Sequence, residues 1–150
     1  MITTEQIKQL REETGLSIMQ CQKALEAADG DKVKAIQLLK EKGAEIASKK
    51  GDRTLGAGAV SAYIHAGDTV GAMVELLCET DFVSKNPEFR ATAKDIAMHI
   101  AAMRPETTEE LLAQPFIKDG SQTIGDIING TVQKFGERTE IGHFIRFSIK

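Results

Sequence analysis

The sequence is poor in several residue types that mark particular classes of protein. It contains no tryptophan, two cysteines and three histidines among 150 residues. Cys21 and Cys78 are widely separated, and none of the histidines shows an H-x-x-x-H spacing, so a metal site is not expected. The two cysteines are interpreted as small buried side chains in a reducing compartment.

Long apolar runs and an excess of positive charge are also missing. No stretch approaches the roughly 20 apolar residues of a membrane span, and the N-terminus has neither the basic start nor the apolar run of a secretory signal. Lys and Arg number 19 against 22 Asp and Glu, for a formal net charge of -3, whereas broad phosphate binding needs a basic surface. We therefore expect a cytoplasmic protein with neither a nucleic acid nor a membrane as its partner.

Motifs of known enzyme classes are absent as well. Gly56-x-Gly58 lacks the third glycine of a dinucleotide loop, and the chain has no Walker loop and no G-x-S-x-G elbow. No nucleophile, base and oxyanion site can be assembled from the sequence. We predict no catalytic residue and no cofactor, while an enzyme with an unrecognised site stays a rival interpretation.

The first 43 residues read as three short helices. Thr3 with Gln6 and Ser17 with Gln20 form capping boxes, and Asp31 is a third N-cap. The expected helix stops are Gly15, Gly30 and Gly43. In the third helix, the side chains expected to point inward are Val33, Ile36 and Leu39.

A polar, glycine-rich stretch then separates two different hydrophobic periods. Residues 49–58 contain Lys49-Lys50, Arg53 and two glycines, a composition typical of a linker. We predict an N-terminal three-helix domain over residues 1–48, a linker over 49–58 and a core domain over 59–150.

Beyond the linker, the pattern predicts an α+β core. Val60, Ala62 and Ile64 alternate with polar residues before the Gly67-Asp68 turn, and residues 70–78 alternate after it, which predicts a β-hairpin whose apolar residues form one buried face. Asn86 and Pro87 begin a helix that should end near Arg104, Thr107 and Thr123 begin two more, and residues 141–149 alternate like a strand. The fold class is therefore a three-helix bundle followed by an antiparallel sheet backed by helices.

The corner between the second strand and the following helix stands out, because two apolar residues lie among polar ones. It reads Glu79-Thr80-Asp81-Phe82-Val83-Ser84-Lys85-Asn86. Periodicity favours a buried Val83 and leaves Phe82 evenly balanced between a core side chain and an exposed aromatic that contacts a partner. Asp81 has two interpretations of similar weight, a turn or helix stabiliser and a direct partner contact.

This corner carries the resemblance to a known family. The string from Cys78 to Val83, followed by Lys85-Asn86 and Phe89, resembles the signature of elongation factor Ts. Further similar segments cover nearly the whole chain; they are Leu10-Arg11, Thr14-Gly15, Met19, Cys21, Lys23-Ala24-Leu25, Gly30-Asp31, Ala97-Met98-His99 and Gln114-Pro115-Phe116.

The resemblance implies a fold and a mechanism. In this family the N-terminal helices resemble a ubiquitin-associated domain, and the chain binds elongation factor Tu, both GDP-bound and nucleotide-free, and makes it release GDP. The implied residues that dislocate magnesium from elongation factor Tu are Thr80, Asp81, Phe82 and Val83. The implied contacts of the N-terminal domain are Arg11, Ile18 and Met19, although helix capping and core packing account equally well for Ile18 and Met19.

The resemblance also draws attention to what this chain leaves out. Family members usually carry a helical insertion between Pro105 and Gln114, and longer members carry a second copy of the core. Single-copy members tend to pair, and the strand at 141–149 is a candidate sheet edge, so we expect a homodimer. A plain interaction module that does not affect nucleotide release is the main alternative function.

Overall fold

The computed structural model describes residues 1–149. The bundle contains α1 (Thr4–Thr14), α2 (Ile18–Ala27) and α3 (Lys32–Lys49). Both predicted capping boxes and the Asp31 cap are present, and Gly15 ends α1 in the left-handed conformation with φ 71°. The bundle has its own core of small and medium apolar side chains; they are Leu10, Leu16, Cys21, Ala24, Leu25, Ala28, Ala35 and Leu39.

Two expectations for α3 are wrong. Gly43 does not end the helix, which continues to Lys49, and Val33 is 78% exposed rather than inward. The buried side of α3 follows Ala35, Leu39 and Gly43, a four-residue spacing that places Val33 away from the core. Gly43 is buried because α3 packs there against a helix of the core.

The core begins with a hairpin and continues into a third strand. β1 (Ala57–Ile64) pairs with β2 (Val70–Cys78), and β2 pairs with β5 (Glu140–Ser148), both antiparallel. Within the described chain the strand order is β1-β2-β5, which places β5 at a sheet edge as predicted. A β-bulge interrupts the second pairing where Gly142 and His143 lie opposite Glu75. Glu75 Oε1 accepts the His143 backbone N–H at 2.7 Å.

The remaining elements are helices and a small ribbon. They are α4 (Asp81–Ser84), α5 (Pro87–Met103), α6 (Thr108–Ala113), β3 (Pro115–Phe116), β4 (Asp119–Thr123) and α7 (Ile124–Phe135). The Asn86 cap with Pro87 and the Thr123 cap with its Gly136 stop are where the sequence predicts them. This architecture confirms the α+β class.

One face of the sheet carries the main core. Helix α5 covers the side of β2 that presents Ala72, Val74, Leu76 and Cys78, all buried. The hairpin prediction is right for β2 and wrong for the apolar residues of β1. Val60, Ala62 and Ile64 face away from α5 and are exposed, while Ser61 and Tyr63 are the half-buried residues on the α5 side.

The bundle and the core contact each other through α3 and α7. A Cβ placed on Gly43 would lie 2.8 Å from Gln133 Oε1 and 3.4 Å from the Asn129 carbonyl oxygen, so the absence of a side chain permits this close approach. Lys40 Nζ also donates to the Ser121 carbonyl oxygen at 3.0 Å. We call this contact the α3–α7 seam. The division of the chain at residues 49–58 stays a prediction.

Candidate protein-binding site

The corner after β2 is a short helix held between two longer elements. β2 ends at the buried Cys78, Thr80 occupies the N-cap position of α4, and Asn86 caps α5 by accepting the Glu88 N–H at 2.8 Å. Burial raises the pKa of the Cys78 thiol, and its Sγ donates to the Thr80 carbonyl oxygen at 3.3 Å. Cys78 is therefore part of the support of the corner.

The two apolar residues of the corner have opposite environments. Phe82 is 89% exposed, whereas Val83 is 4% exposed and belongs to the main core. Ser84 is buried beside it, and its hydroxyl donates to the Asp81 carbonyl oxygen at 3.3 Å. Phe82 is thus an aromatic side chain held at the surface by buried neighbours.

Glu137 holds the start of this corner. Its Oε1 accepts the backbone N–H groups of Glu79 and Thr80 at 3.1 and 3.0 Å, and its Oε2 accepts the Thr80 hydroxyl at 2.6 Å. In return, Glu79 Oε2 accepts the Arg138 backbone N–H at 2.6 Å. We call these four bonds the Glu79–Glu137 clamp.

The structure separates the four residues of the Thr80–Val83 string by environment. Asp81 and Phe82 are exposed on α4, the Thr80 hydroxyl is turned to Glu137, and Val83 lies in the core. Asp81 and Phe82 are therefore directly accessible to a partner, while Val83 packs in the core beneath α4.

The bundle residues form a second exposed group. Arg11 lies in the last turn of α1, and Ile18 and Met19 begin α2 at 55% and 64% exposure. Their side chains point to solvent, which removes the core-packing interpretation for Ile18 and Met19. The bundle and the corner thus present two separate groups of exposed apolar side chains.

The three histidines are placed in three separate environments. His65 Nδ1 lies 3.0 Å from the Tyr63 hydroxyl, and His143 Nδ1 lies 2.8 Å from Glu75 Oε1 at the bulge. His99 is buried in α5, and burial lowers its pKa, an effect that a hydrogen bond to Gln114 opposes. Across residues 1–149, no group of three or more His, Cys, Asp or Glu side chains is arranged to hold a metal ion.

Sequence reasoning missed two features, the clamp and an exposed apolar sheet face. Glu137 follows the helix stop Gly136, and no local pattern indicates that its carboxylate reaches residues 79 and 80. On the sheet, cross-strand rows join Ala62 to Met73 and Ile145, and Ile64 to Gly71 and Phe147. We call the surface formed by Val60, Ala62, Ile64, Met73, Ile145 and Phe147 the outer face.

No helix within residues 1–149 is both long and apolar enough to cross a membrane.

Together, the helical bundle, the α+β core and the exposed Phe82 on a supported corner define an α+β chain with one candidate protein-binding surface. The family model for elongation factor Ts matches residues 3–110. This chain therefore belongs to the elongation factor Ts family, a family of translation elongation factors.

Relatives cover almost the whole chain. It is 37% identical to elongation factor Ts of Desulforamulus reducens, with 99% of this chain and 89% of the relative aligned, and 38% identical to that of Thermodesulfovibrio yellowstonii, with 99% and 96% aligned. A longer elongation factor Ts, from Trichlorobacter lovleyi, is 42% identical over 147 residues that cover 98% of this chain and 47% of the relative.

The alignment with one of these relatives is longer than the chain itself. The alignment with the Desulforamulus reducens protein extends over 193 residues, whereas this chain has 150. The relative therefore carries segments that this chain lacks.

Proposed function

We propose that this chain is a guanine-nucleotide exchange factor that binds elongation factor Tu and promotes release of GDP. The observation that carries the proposal is the exposure of Phe82 on a corner whose other apolar residue, Val83, is buried. Membership of the elongation factor Ts family supports the identity of the partner.

The proposed action is mechanical and non-enzymatic. Phe82 enters between helices of the GTPase domain of elongation factor Tu, displaces the magnesium held there and disturbs the phosphate site. Asp81 lies at the same surface, while Thr80 and Val83 hold the corner. No covalent step is needed, because a factor that binds the nucleotide-free state more tightly than the GDP state must weaken GDP binding by the same ratio.

The size of the effect argues for a second contact. Burying one phenylalanine contributes roughly 2 to 3 kcal/mol, which is about 30- to 150-fold in an equilibrium constant. We assign the second contact to Arg11, Ile18 and Met19, which are exposed on the bundle. The site of action is the cytoplasm, where translation takes place.

We also propose that the chain forms a homodimer, and the outer face is its most suitable interface. Ile64 and Phe147 flank Gly71 in one row, where a Cβ on Gly71 would lie 2.7 Å from Ile64 Cδ1, so the Ile64 side chain lies over the glycine. A contiguous apolar surface of this kind is typical of an interface. A second copy is its proposed occupant, since this chain spans 47% of the Trichlorobacter lovleyi relative and longer family members carry a second core.

The deciding experiment measures release of a fluorescent GDP from elongation factor Tu. Exchange predicts faster release at substoichiometric amounts of this chain, because each molecule acts repeatedly. Binding of the two proteins with an unchanged release rate would instead support an interaction module. If the proteins neither bind nor exchange, the proposed function is wrong.

A further inference from the structure

We infer that Glu137 is a positioning residue for the proposed exchange activity, because the Glu79–Glu137 clamp fixes the helix that displays Phe82. The inference rests on the proposed function. Glu137 lies more than fifty residues from the corner in sequence, and its carboxylate accepts two backbone N–H groups and one hydroxyl there. Such charge-assisted bonds are stronger than bonds between neutral groups.

The clamp is reciprocal, because each of its two segments supplies a carboxylate that accepts backbone N–H groups of the other. Glu137 binds the backbone of residues 79 and 80, and Glu79 binds the backbone of Arg138 at 2.6 Å. The Arg53 guanidinium adds an ion pair to Glu79 Oε1 at 3.5 Å, and Arg138 Nη1 donates to the Arg53 carbonyl oxygen at 2.6 Å. The corner is therefore joined to the segment after α7 by bonds in both directions.

The corner needs this support because α4 is very short. It has four residues, Asp81–Ser84, far fewer than an isolated helix requires for stability in water. The N-cap side chain, Thr80, donates to Glu137, so the first turn is fixed by the clamp. Val83 and Ser84 fix the other end by burial.

The direction of the Phe82 ring matters in addition to its presence. An exposed Phe82 gains little from folding, so nothing in its own contacts fixes the direction of its ring. If the first turn of α4 were free, binding would include the cost of ordering it. The clamp removes that cost in advance, and Gly136, with φ 74°, turns the chain so that Glu137 can reach the corner.

The test combines Glu137→Ala and Glu137→Gln with Phe82→Ala in full-length protein. GDP release from elongation factor Tu is measured below saturation, together with hydrogen exchange of the Glu79 and Thr80 amides. We expect Glu137→Ala to slow release about 10-fold, as expected for losing bonds to a charged group, and to speed exchange of both amides. Glu137→Gln should retain most activity, because one amide oxygen can still accept both N–H groups.

The Phe82→Ala background shows whether Glu137 acts by positioning Phe82 or by stabilising the protein in general. Added to Phe82→Ala, the Glu137→Ala change should cause no further loss, because there is no aromatic left to position. A full additional loss in that background would overturn the inference, as would normal release by Glu137→Ala while Phe82→Ala is impaired. Normal release by Phe82→Ala would instead contradict the proposed function.

Thr80→Val provides a second, milder variant. It removes one of the three bonds to Glu137 and should slow release by less than Glu137→Ala does, again only when Phe82 is present. If Glu137→Ala fails to fold, this variant decides: release equal to that of the unchanged chain, in a folded protein with Phe82 present, would overturn the inference.

Discussion

Phe82 and Val83 are neighbours in the chain, and the first is 89% exposed while the second is 4% exposed. Adjacent residues of a helix point about 100° apart, so α4 can bury one side chain and display the other. Val83 contributes to the core and Phe82 does not. The two residues therefore have separable effects on stability and on binding, which makes the site testable by substitution.

Phe82→Ala should lower exchange without lowering stability. Removal of a central aromatic contact often costs about 2 kcal/mol or more, which is on the order of a 30-fold loss of binding or exchange. The melting temperature should stay nearly unchanged, because an exposed side chain leaves no cavity. The measurements are GDP release and thermal melting on the same variant.

Phe89→Ala is the matched control for this substitution. Phe89 is fully buried in α5 and lies edge-on to Phe135, with ring centroids 6.1 Å apart. The same truncation there should cost about 3 to 5 kcal/mol of stability. A large fall in melting temperature for Phe82→Ala, or near-normal exchange by that well-folded variant, would refute the proposed role of Phe82.

Asp81→Ala should give a smaller exchange defect than Phe82→Ala. Asp81 is exposed in the first turn of α4, where a negative charge also stabilises the helix N-terminus by roughly 0.3 to 1 kcal/mol. Asp52→Ala, an exposed aspartate in the predicted linker, is the control for loss of one charge. A defect larger than that of Phe82→Ala would reverse the order of importance.

Phe147→Asp should dissociate the proposed dimer. Phe147 is 69% exposed on the outer face, and a carboxylate there would be buried without a partner if two faces packed together. Val33→Asp makes a similar change at an exposed apolar residue of the bundle and should leave the mass unchanged. Light scattering at micromolar concentration tests both, and a monomeric mass for the unchanged chain would contradict the dimer itself.

Stability should fall as the pH is lowered from 7 to 5, and His99 should contribute to that fall. Its Nδ1 accepts the Ile117 N–H at 3.2 Å and its Nε2 lies 2.9 Å from Gln114 Oε1, an arrangement that requires the neutral ring. Burial lowers the pKa of His99, so the unfolded state binds the proton first. The loss begins below about pH 6.5 and reaches at most ~1.4 kcal/mol per pH unit.

His99→Gln provides the comparison. It cannot titrate, so its melting temperature should be lower at pH 7 but should fall less steeply between pH 7 and 5. His65→Gln, a change at a surface histidine, should keep the steepness of the unchanged chain. Equal pH dependence in the His99→Gln variant and the unchanged chain would show that His99 does not take part.

Gly130→Ala should stabilise the protein, whereas Gly43→Ala should not gain as much. Both glycines are helical, but a Cβ on Gly130 meets nothing within 4 Å, whereas one on Gly43 meets Gln133 Oε1 at 2.8 Å. Alanine in place of helical glycine gains about 0.5 to 1 kcal/mol, or roughly 1 to 4 °C in a chain of this size. Thermal melting of Gly43→Ala with and without Gln133→Ala checks whether the Gln133 side chain is the obstacle. An equal gain in melting temperature at both glycines would show that there is no steric obstacle at Gly43.

Local signals predicted most of the elements, because they depend on residues close in sequence. Thr3, Ser17, Asp31 and Thr123 cap helices where expected, since a cap needs only a side chain and an N–H two or three residues away. The prediction that Gly43 ends α3 was wrong for a different reason. A glycine in a helical pattern can end the helix or admit a neighbour, and only the position of α7 decides between the two.

The site was predictable in part. The contrast between Val83 and its polar neighbours indicated burial, but the exposure of Phe82 depends on how α4 sits on the core. The alternation of β1 predicts that Val60, Ala62 and Ile64 share one face of the strand. It does not show which face of the sheet the helices cover, and in the structure α5 covers the opposite one. The reach of Glu137 to Thr80 crosses the fold, and nothing near either residue in sequence indicates it.

The α3–α7 seam determines how the two proposed contacts add up. When two binding surfaces belong to one body, the first to engage holds the second near its target at a high effective concentration. In a chain whose bundle swung freely, that concentration would follow from the statistics of the connecting segment. Here it depends on the fit of Gly43 against α7, so we expect a substitution at this glycine, which belongs to neither proposed contact, to alter avidity without changing either contact surface.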